Sequence, residues 1–371
     1  VTEMTNCQSV RTVVTDRHQK RSHSSFPSPG EVPTIAIGLI QIEMADAIAR
    51  YALWPSPTVI ISDGAYGLGL FPGDPPTATH LADWYAPHIE AWSRYALPET
   101  TLWFWCSEIG WATVHPILAK NGWEYRSVNV WDKGVAHIAG NVNSKTIRRF
   151  PIVTEICVQY IRNVTLANGD GQCLPMQQWL RYEWQRTGLP FSKTNEACGV
   201  KNAATRKYFT KDHLWDFPPP EMMERIAIYA NEHGQPTKWP YFSLDGNSFV
   251  TAQEWSRMRA KWNHIHGVTN VWSVPAVRGT ERLKNTQAKC VHANQKPLSL
   301  IEQIIVASSD PMDVVWEPFG GLCSAAIASQ KKNRRCYCYS AEINPDYYEL
   351  AKMRIQQEYD LRASALFPEF F

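Results

Sequence analysis

Long apolar runs are missing from this chain: no stretch approaches the roughly 18 uninterrupted apolar residues that a membrane-spanning helix needs. The N-terminal residues carry Ser, Thr and Arg without the apolar core of a secretory signal. A soluble, cytoplasmic protein without a membrane partner is expected. Charge of one sign is scarce too. Lys and Arg total 37 against 35 Asp and Glu, a formal net charge of +2, so any nucleic-acid surface has to come from local clustering. Paired cysteine spacings are absent. The nine cysteines (Cys7, Cys106, Cys157, Cys173, Cys198, Cys290, Cys323, Cys336, Cys338) are scattered without a Cys-x-x-Cys, and they read as reduced thiols. Cys336 and Cys338 fall on one face of a strand-like run as small buried residues, and no metal is expected. No internal repeat is present.

What remains is globular: 371 residues, 44% hydrophobic and 12% aromatic, can bury one large core and a smaller satellite. Residues 1–33 are polar, with Arg17, His18, Lys20, Arg21 and His23 close together. They read as a flexible arm, with a phosphate-contacting tail as the alternative. From 34 to 135 short apolar runs alternate with helical patterns, an α/β rhythm. Thr58–Ile61 predicts a buried strand, His80–Tyr95 an amphipathic helix, Thr101–Cys106 a strand, Trp111–Asn121 a helix and Trp123–Trp131 a strand. Residues 136–290 lose the rhythm and gain polar, aromatic and Pro-rich patches. They read as an inserted module, with two short helices around Gly199-Val200-Lys201 giving residues 176–210 helix-turn-helix proportions. The rhythm returns over 291–371: a helix at Leu298–Ser308, strands at Asp313–Trp316 and Arg335–Tyr339, helices at Ser324–Gln330 and Asp346–Gln357.

The run Glu317-Pro318-Phe319-Gly320-Gly321 follows a predicted strand and precedes a helix, the geometry that presents a close-approach backbone and helix N–H groups to a nucleotide-like ligand. A second strand ends in Ser340-Ala341-Glu342-Ile343-Asn344-Pro345. Its Glu342 lies about 25 residues on, where a carboxylate can accept both ribose hydroxyls of an adenosine.

The block from His292-Ala293-Asn294-Gln295-Lys296-Pro297-Leu298 through Ser309-Asp310-Pro311-Met312 and the Glu317 loop to Asn344-Pro345-Asp346-Tyr347-Tyr348 closely resembles the C-terminal part of the β-class amino-methyltransferases of DNA. The likeness spans roughly 60 residues in the family's order. It implies S-adenosylmethionine as cofactor, with Lys296 and Pro297 on its methionine end, Glu317, Pro318, Phe319, Gly320 and Gly321 as its cradle, and Glu342 with Asn344 at its ribose. Two positions depart from the family pattern. Glu317 stands where Asp is usual, and a longer carboxylate still reaches a ligand amine. Cys323 stands where the second Gly is usual, so the loop either runs with negative φ there or is reshaped.

The same resemblance identifies Asp63-Gly64-Ala65-Tyr66 as the catalytic motif, an Asp-Pro-Pro-Tyr in which both prolines are replaced. An exocyclic amine attacks a sulfonium methyl in line, and its lone pair is freed when acceptors hold its two hydrogens. Asp63 and the Gly64 carbonyl take that role, and Tyr66 is the aromatic platform for the flipped base. Gly64 and Ala65 leave the loop looser than two prolines would, so neighbours have to order it. The motif order is that of the permuted β-class arrangement, which implies a doubly wound mixed sheet with an inserted, mainly helical recognition module.

Within that module Lys201, Asn202, Thr205, Arg206 and Lys207 mix amide, hydroxyl and cationic side chains suited to a major groove and its phosphates. Arg148, Arg149, Lys193, Lys211 and His213 add positive charge. His264, His266, Trp262 and Trp272 lack a further ligand at a recognisable spacing and read as packing. The expectation is transfer to cytosine N4 in double-stranded DNA, because the cytosine-N4 enzymes have the more varied catalytic motif, with adenine N6 as alternative. A regulator that keeps the fold without activity is the reading from another class, and an RNA or protein substrate a further rival. A cognate restriction endonuclease is the partner such a resemblance allows, and the oligomeric state stays open.

Overall fold

The computed structural model describes residues 32–69, 73–138, 148–279, 281–283, 291, 294–331 and 335–366. The polar arm expected over residues 1–33 lies almost wholly outside the described residues. Two compact units divide the rest: residues 27–96, 100–162 and 260–371 make the larger, and residues 97–99 and 163–259 fall in the smaller.

The larger unit opens with an antiparallel pair, β1 (Thr34–Ile37) and β2 (Ile40–Met44), followed by β3 (Val59–Ser62), α1 (Leu81–Tyr95), β4 (Thr101–Cys106), α2 (Glu108–Lys120), β5 (Trp123–Asp132) and β6 (Thr154–Arg162). Every residue of β3 and β4 is buried, the mark of strands covered on both faces. Helix α2 starts where Ser107 accepts the Gly110 N–H at 3.1 Å, an N-cap that satisfies one of the free donors of the first turn.

The smaller unit holds a hairpin of β7 (Thr165–Ala167) and β8 (Cys173–Pro175), then α3 (Met176–Arg186), α4 (Lys193–Ala197), α5 (Ala203–Tyr208), α6 (Pro220–His233) and α7 (Ala252–Ser256). Trp179, Trp184, Phe242 and Trp255 are its fully buried aromatic centre. Thr251 and Glu254 close a reciprocal capping box on α7. Cys173 is disulfide-bonded, so the expectation of nine reduced thiols fails at this position. Sequence spacing carried no trace of a pairing made in space. Six described cysteines, among them Cys336 and Cys338, are buried and outside any disulfide.

The chain then returns to the large sheet with β9 (Val271–Ser273), α8 (Leu298–Ser308), β10 (Val314–Glu317), α9 (Ser324–Ser329), β11 (Tyr337–Glu342) and α10 (Pro345–Leu366). The nine strands lie in the order β1-β2-β11-β10-β3-β4-β6-β5-β9. From β2 to β4 they are parallel, and β6 runs antiparallel between β4 and β5. This is the expected doubly wound mixed sheet. Alternation along β3 sends Val59 and Ile61 to a core shared with α8, α9 and α10, and Ile60 to a second core shared with α1 and α2.

One strand departs from expectation. Residues 136–290 read as one inserted module, yet Thr154–Arg162 forms an inner strand of the sheet. Glu155 and Gln159 gave it a polar look, although both are buried. Residues 271–273 likewise add β9 to the sheet, parallel to β5.

Candidate active site

Strands β3 and β10 are neighbours, and the chain winds away from them in opposite directions, so a crevice opens at their carboxyl ends. The loop after β3 carries Asp63, Gly64, Ala65 and Tyr66. The loop after β10 carries Pro318, Phe319, Gly320 and Gly321. They touch: a Cβ at Gly64 would lie 2.6 Å from the Phe319 ring and 2.8 Å from the Tyr85 hydroxyl. Glycine stands here because Phe319 fills the space a proline ring would need.

External groups hold the first loop. The Asp74 carboxylate accepts the N–H groups of Tyr66 (3.2 Å), Gly67 (2.9 Å) and Leu68 (3.2 Å). Gly67 runs at φ +69° with Ala78 backbone 2.7 Å from where a Cβ would be, so only glycine makes that turn. Tyr85 donates its hydroxyl to the Ala65 carbonyl at 3.1 Å, and Ala65 is fully buried. Asp74 was not a sequence candidate. It lies in a Gly-Asp-Pro-Pro turn that resembles any surface loop.

A buried charge array lies beneath Asp63. The Lys296 ammonium sits 2.7 and 2.9 Å from the two Asp63 oxygens, 2.9 Å from Glu155 Oε1 and 3.1 Å from the Tyr66 hydroxyl. Tyr66 in turn donates to Asp63 Oδ1 at 3.0 Å and lies within hydrogen-bond reach of Glu155. Lys133 holds the other Glu155 oxygen at 2.9 Å. Burial alone would raise the Glu155 carboxyl, but Lys296 and Lys133 hold it down at about 2. Burial lowers Lys296 while Asp63 and Glu155 outweigh it, so the ammonium stays above its usual range. Lys296, expected on the cofactor's methionine end, is thus tied to Asp63, and Glu155 of β6 joins the site unannounced by any motif.

The second loop is held by its own Glu317 and by the adjoining β11. Glu317 turns its buried carboxylate onto the start of α9, accepting from Ala325 N at 2.7 Å and Ala326 N at 3.2 Å. The expectation that Glu317 reaches a ligand amine gives way to this inward role, because its longer side chain caps the following turn. Burial raises its pKa to about 8 against those two N–H donors. Gly320 donates to the Ala341 carbonyl at 2.7 Å, and a Cβ there would meet Ser340 Oγ at 2.6 Å. Cys323 takes φ +52° and ψ +48°. Cys323 keeps the left-handed turn of a glycine, so the expected negative φ is not used. Glu342, at the end of β11, accepts from Gly321 N at 2.6 Å and Asn344 N at 2.7 Å, and the Ile343 N–H also faces its carboxylate. Phe319 lies 4.9 Å from the His88 ring and 5.2 Å from Trp84.

In the smaller unit, α4 and α5 form the expected pair around Gly199 at φ +68°. Lys201, Asn202, Arg206 and Lys207 are exposed. Thr205 is not available in the same way: its hydroxyl is shared with Thr194 at 2.7 Å and donates to the Phe191 carbonyl at 2.9 Å. Trp272 is buried in the large core, while His264 and the exposed Trp262 border a cavity of about 220 Å³. Among the described residues no group of three His, Cys, Asp or Glu could hold a metal ion.

A family model described as DNA methylase, of the N6/N4 methyltransferase kind, matches residues 58–353. The chain is 33% identical over 88 residues to the type II methyltransferase M.HinfI of Haemophilus influenzae, 24% of either chain. It is 32% identical over 91 residues to the type II methyltransferase M.BglII of Bacillus subtilis, 24% of this chain and 23% of that one. These matches span about a quarter of either relative's length. Among solved structures it is similar to the M1.HpyAVI–SAM complex, with 17% identity and a TM-score of 0.46 over 85% of this chain and 98% of that one. The cytosine-N4-specific PvuII DNA methyltransferase gives 9% identity and a TM-score of 0.46, over 86% and 91%.

Proposed function

Because the matched model takes in residues 58–353, the chain belongs to the N6/N4 DNA methylase family, and on that premise we propose that it transfers a methyl group from S-adenosylmethionine to the exocyclic amine of a base in double-stranded DNA. The observation that carries this reading is the contact between the Asp63 loop and the Phe319 loop at Gly64, which would bring acceptor and donor sides of a transfer reaction together. S-adenosylmethionine supplies, when bound, a methyl group activated by its sulfonium. The residues present fit it: the Glu342 carboxylate, the acceptor a ribose diol calls for, ends β11 held by the Gly321 and Asn344 N–H groups, and Gly320 packs too closely on Ser340 for any side chain, which leaves the Phe319–Gly321 backbone open to close approach.

Asp63 and the Gly64 carbonyl accept the two hydrogens of the target amine, leaving the nitrogen lone pair free to attack. Tyr66, fixed through its hydroxyl, offers its ring to the flipped base. Gly64, Ala65 and Cys323, the departures behind the reading of an inactive regulator, are accommodated by their surroundings, which supports an active enzyme. Lys201, Asn202, Arg206 and Lys207 are proposed to contact DNA. Among the described residues no helix is long and apolar enough to cross a membrane. A cytoplasmic protein, in some settings matched to a restriction endonuclease, is the biological reading.

Cytosine N4 is the acceptor we favour, with adenine N6 the alternative. Mixed duplex DNA incubated with methyl-labelled cofactor and digested to nucleosides should give labelled N4-methylcytosine by mass spectrometry. Labelled N6-methyladenine would reassign the base. No label, together with retained sequence-specific DNA binding, would favour the regulator, and competition by RNA or peptide would redirect the substrate class.

A further inference from the structure

We propose that Lys296 and Glu155 are a positioning pair for Asp63: Lys296 bridges both Asp63 oxygens in the resting site and withdraws onto Glu155 when the target amine arrives. This rests on the reading of Asp63 as the amine's acceptor.

The geometry points to exchange. An ammonium has three N–H donors, yet five acceptors surround Lys296 Nζ: two Asp63 oxygens, Glu155 Oε1, the Tyr66 hydroxyl and, at 3.5 Å, the Asn294 carbonyl. It cannot serve all of them at once. Burial is graded across the array. The side chains of Lys296 and Glu155 are 2% and 6% exposed, that of Asp63 24%. The outer carboxylate is therefore the one a substrate can reach, and the inner one is fixed by Lys133 as well. A buried ammonium released from its sole anion would be costly. Glu155 removes that cost, because Lys296 keeps a carboxylate whichever way it turns.

The array also balances its charge. Two carboxylates, Asp63 and Glu155, are joined through Tyr66 and neutralised by Lys296 and Lys133. Around them stand the thiols of Cys106 at the end of β4 and Cys157 on β6, both pushed up by burial and thus neutral. Without the ammonium, two close carboxylates favour sharing a proton, and a protonated acceptor cannot hold the amine's hydrogen. Lys296 is thereby a group that holds Glu155 ionised as well as the group that must step aside.

The test compares Lys296→Met, Lys296→Arg and Glu155→Gln with the parent chain, reading kcat against pH and, separately, S-adenosylmethionine binding by calorimetry. Lys296→Met should lower kcat by about 100-fold and move the acid limb of its pH profile upward by about one unit. Lys296→Arg should recover part of the rate and most of the profile. Glu155→Gln should lower kcat by about 10-fold without that shift, because Lys296 then has only Asp63 to hold. Cofactor affinity should stay within about twofold in all three. A tenfold loss of cofactor affinity in Lys296→Arg or Glu155→Gln overturns the inference, placing Lys296 on the cofactor instead, and so does an unshifted profile in Lys296→Met. Should that variant not fold, the arginine and glutamine variants decide. Absence of transfer by the parent chain on any DNA would count against the proposed function, and calorimetry would still judge the pair.

Discussion

Asp63–Gly67 and Glu317–Cys323 leave the carboxyl ends of neighbouring parallel strands, but they are kept in shape by different means. The first loop has pliant residues where the family resemblance leads one to expect prolines, and its conformation comes from outside: Asp74 gathers three backbone N–H groups, Tyr85 holds a carbonyl, Phe319 fills the space over Gly64. The second has a stiffer residue where glycine is expected, and its conformation comes from its own side chains together with the adjoining strand: Glu317 caps α9, Cys323 holds a left-handed turn, and Ala341 and Glu342 of β11 take the Gly320 and Gly321 N–H groups. A loop ordered by neighbours can adjust when a substrate replaces one of them. A loop tied to its own sheet by its side chains and by β11 stays put, which suits the end that would hold a cofactor.

The largest expected effect breaks the first loop's chemistry and leaves the second untouched. Asp63→Ala should reduce methyl transfer by about 10²- to 10³-fold, the scale of losing one preorganised partner at a reacting centre. S-adenosylmethionine affinity should be spared. Calorimetry alongside a transfer assay checks both, and full activity in the variant would remove Asp63 from the reaction.

Next comes the contact between the loops. Gly64→Ala puts a methyl group 2.6 Å from Phe319, and overpacking of this kind costs about 1–3 kcal/mol. Combining it with Phe319→Leu should return part of that loss in a double-mutant cycle by denaturant unfolding. Strict additivity would mean the two loops do not share the space.

Glu317 sharpens the comparison through pH. Burial raises its pKa to about 8, so the folded chain holds this proton where the unfolded chain, titrating near the ordinary Glu value of 4.5, has released it. Its stabilising contribution is complete below the unfolded value and is lost as pH rises through about 8. Between pH 6 and 7 the slope should be on the order of 1 kcal/mol per pH unit. Glu317→Gln should flatten it, as read from denaturant midpoints across that window. An unchanged slope would move the titration elsewhere.

The legibility of these parts follows their physics. Strands β3, β4 and β10 and helix α8 announce themselves through apolar runs and helical spacing, because burial on a sheet face leaves a periodic trace. Strand β6 does not, since its buried Glu155 and Gln159 are satisfied by Lys296, Lys133 and Ser127 from other segments, and sequence periodicity carries no record of such partners. Asp63, Tyr66 and Glu342 were singled out by motif, and the fold sets Asp63 and Tyr66 in the loop after β3 and Glu342 at the end of β11. The inward turn of Glu317, the anchoring by Asp74 and the place of Lys296 beside Asp63 depend on distances between segments 6 to 233 residues apart. Thr205 fell on the wrong side of its helix for a similar reason: six residues give too short a face to separate its packed and exposed sides.

The smallest expected effect concerns Cys323. A left-handed conformation costs a non-glycine residue about 1–2 kcal/mol, so Cys323→Gly releases strain. It also gives up a buried side chain, 1% exposed with its sulfur 3.4 Å from Ser340 Oγ, and adds backbone freedom to the unfolded chain worth about 0.5–1 kcal/mol. These terms oppose one another, so stability should stay within about 1 kcal/mol of the parent. Cofactor affinity should be unchanged. Cys323→Val offers the contrast, because a β-branched residue tolerates positive φ least and should lower stability by more than the glycine change does. Equal stability in the two variants, measured by thermal unfolding, would mean the turn is not held by this residue and that the second loop, like the first, takes its shape from its neighbours.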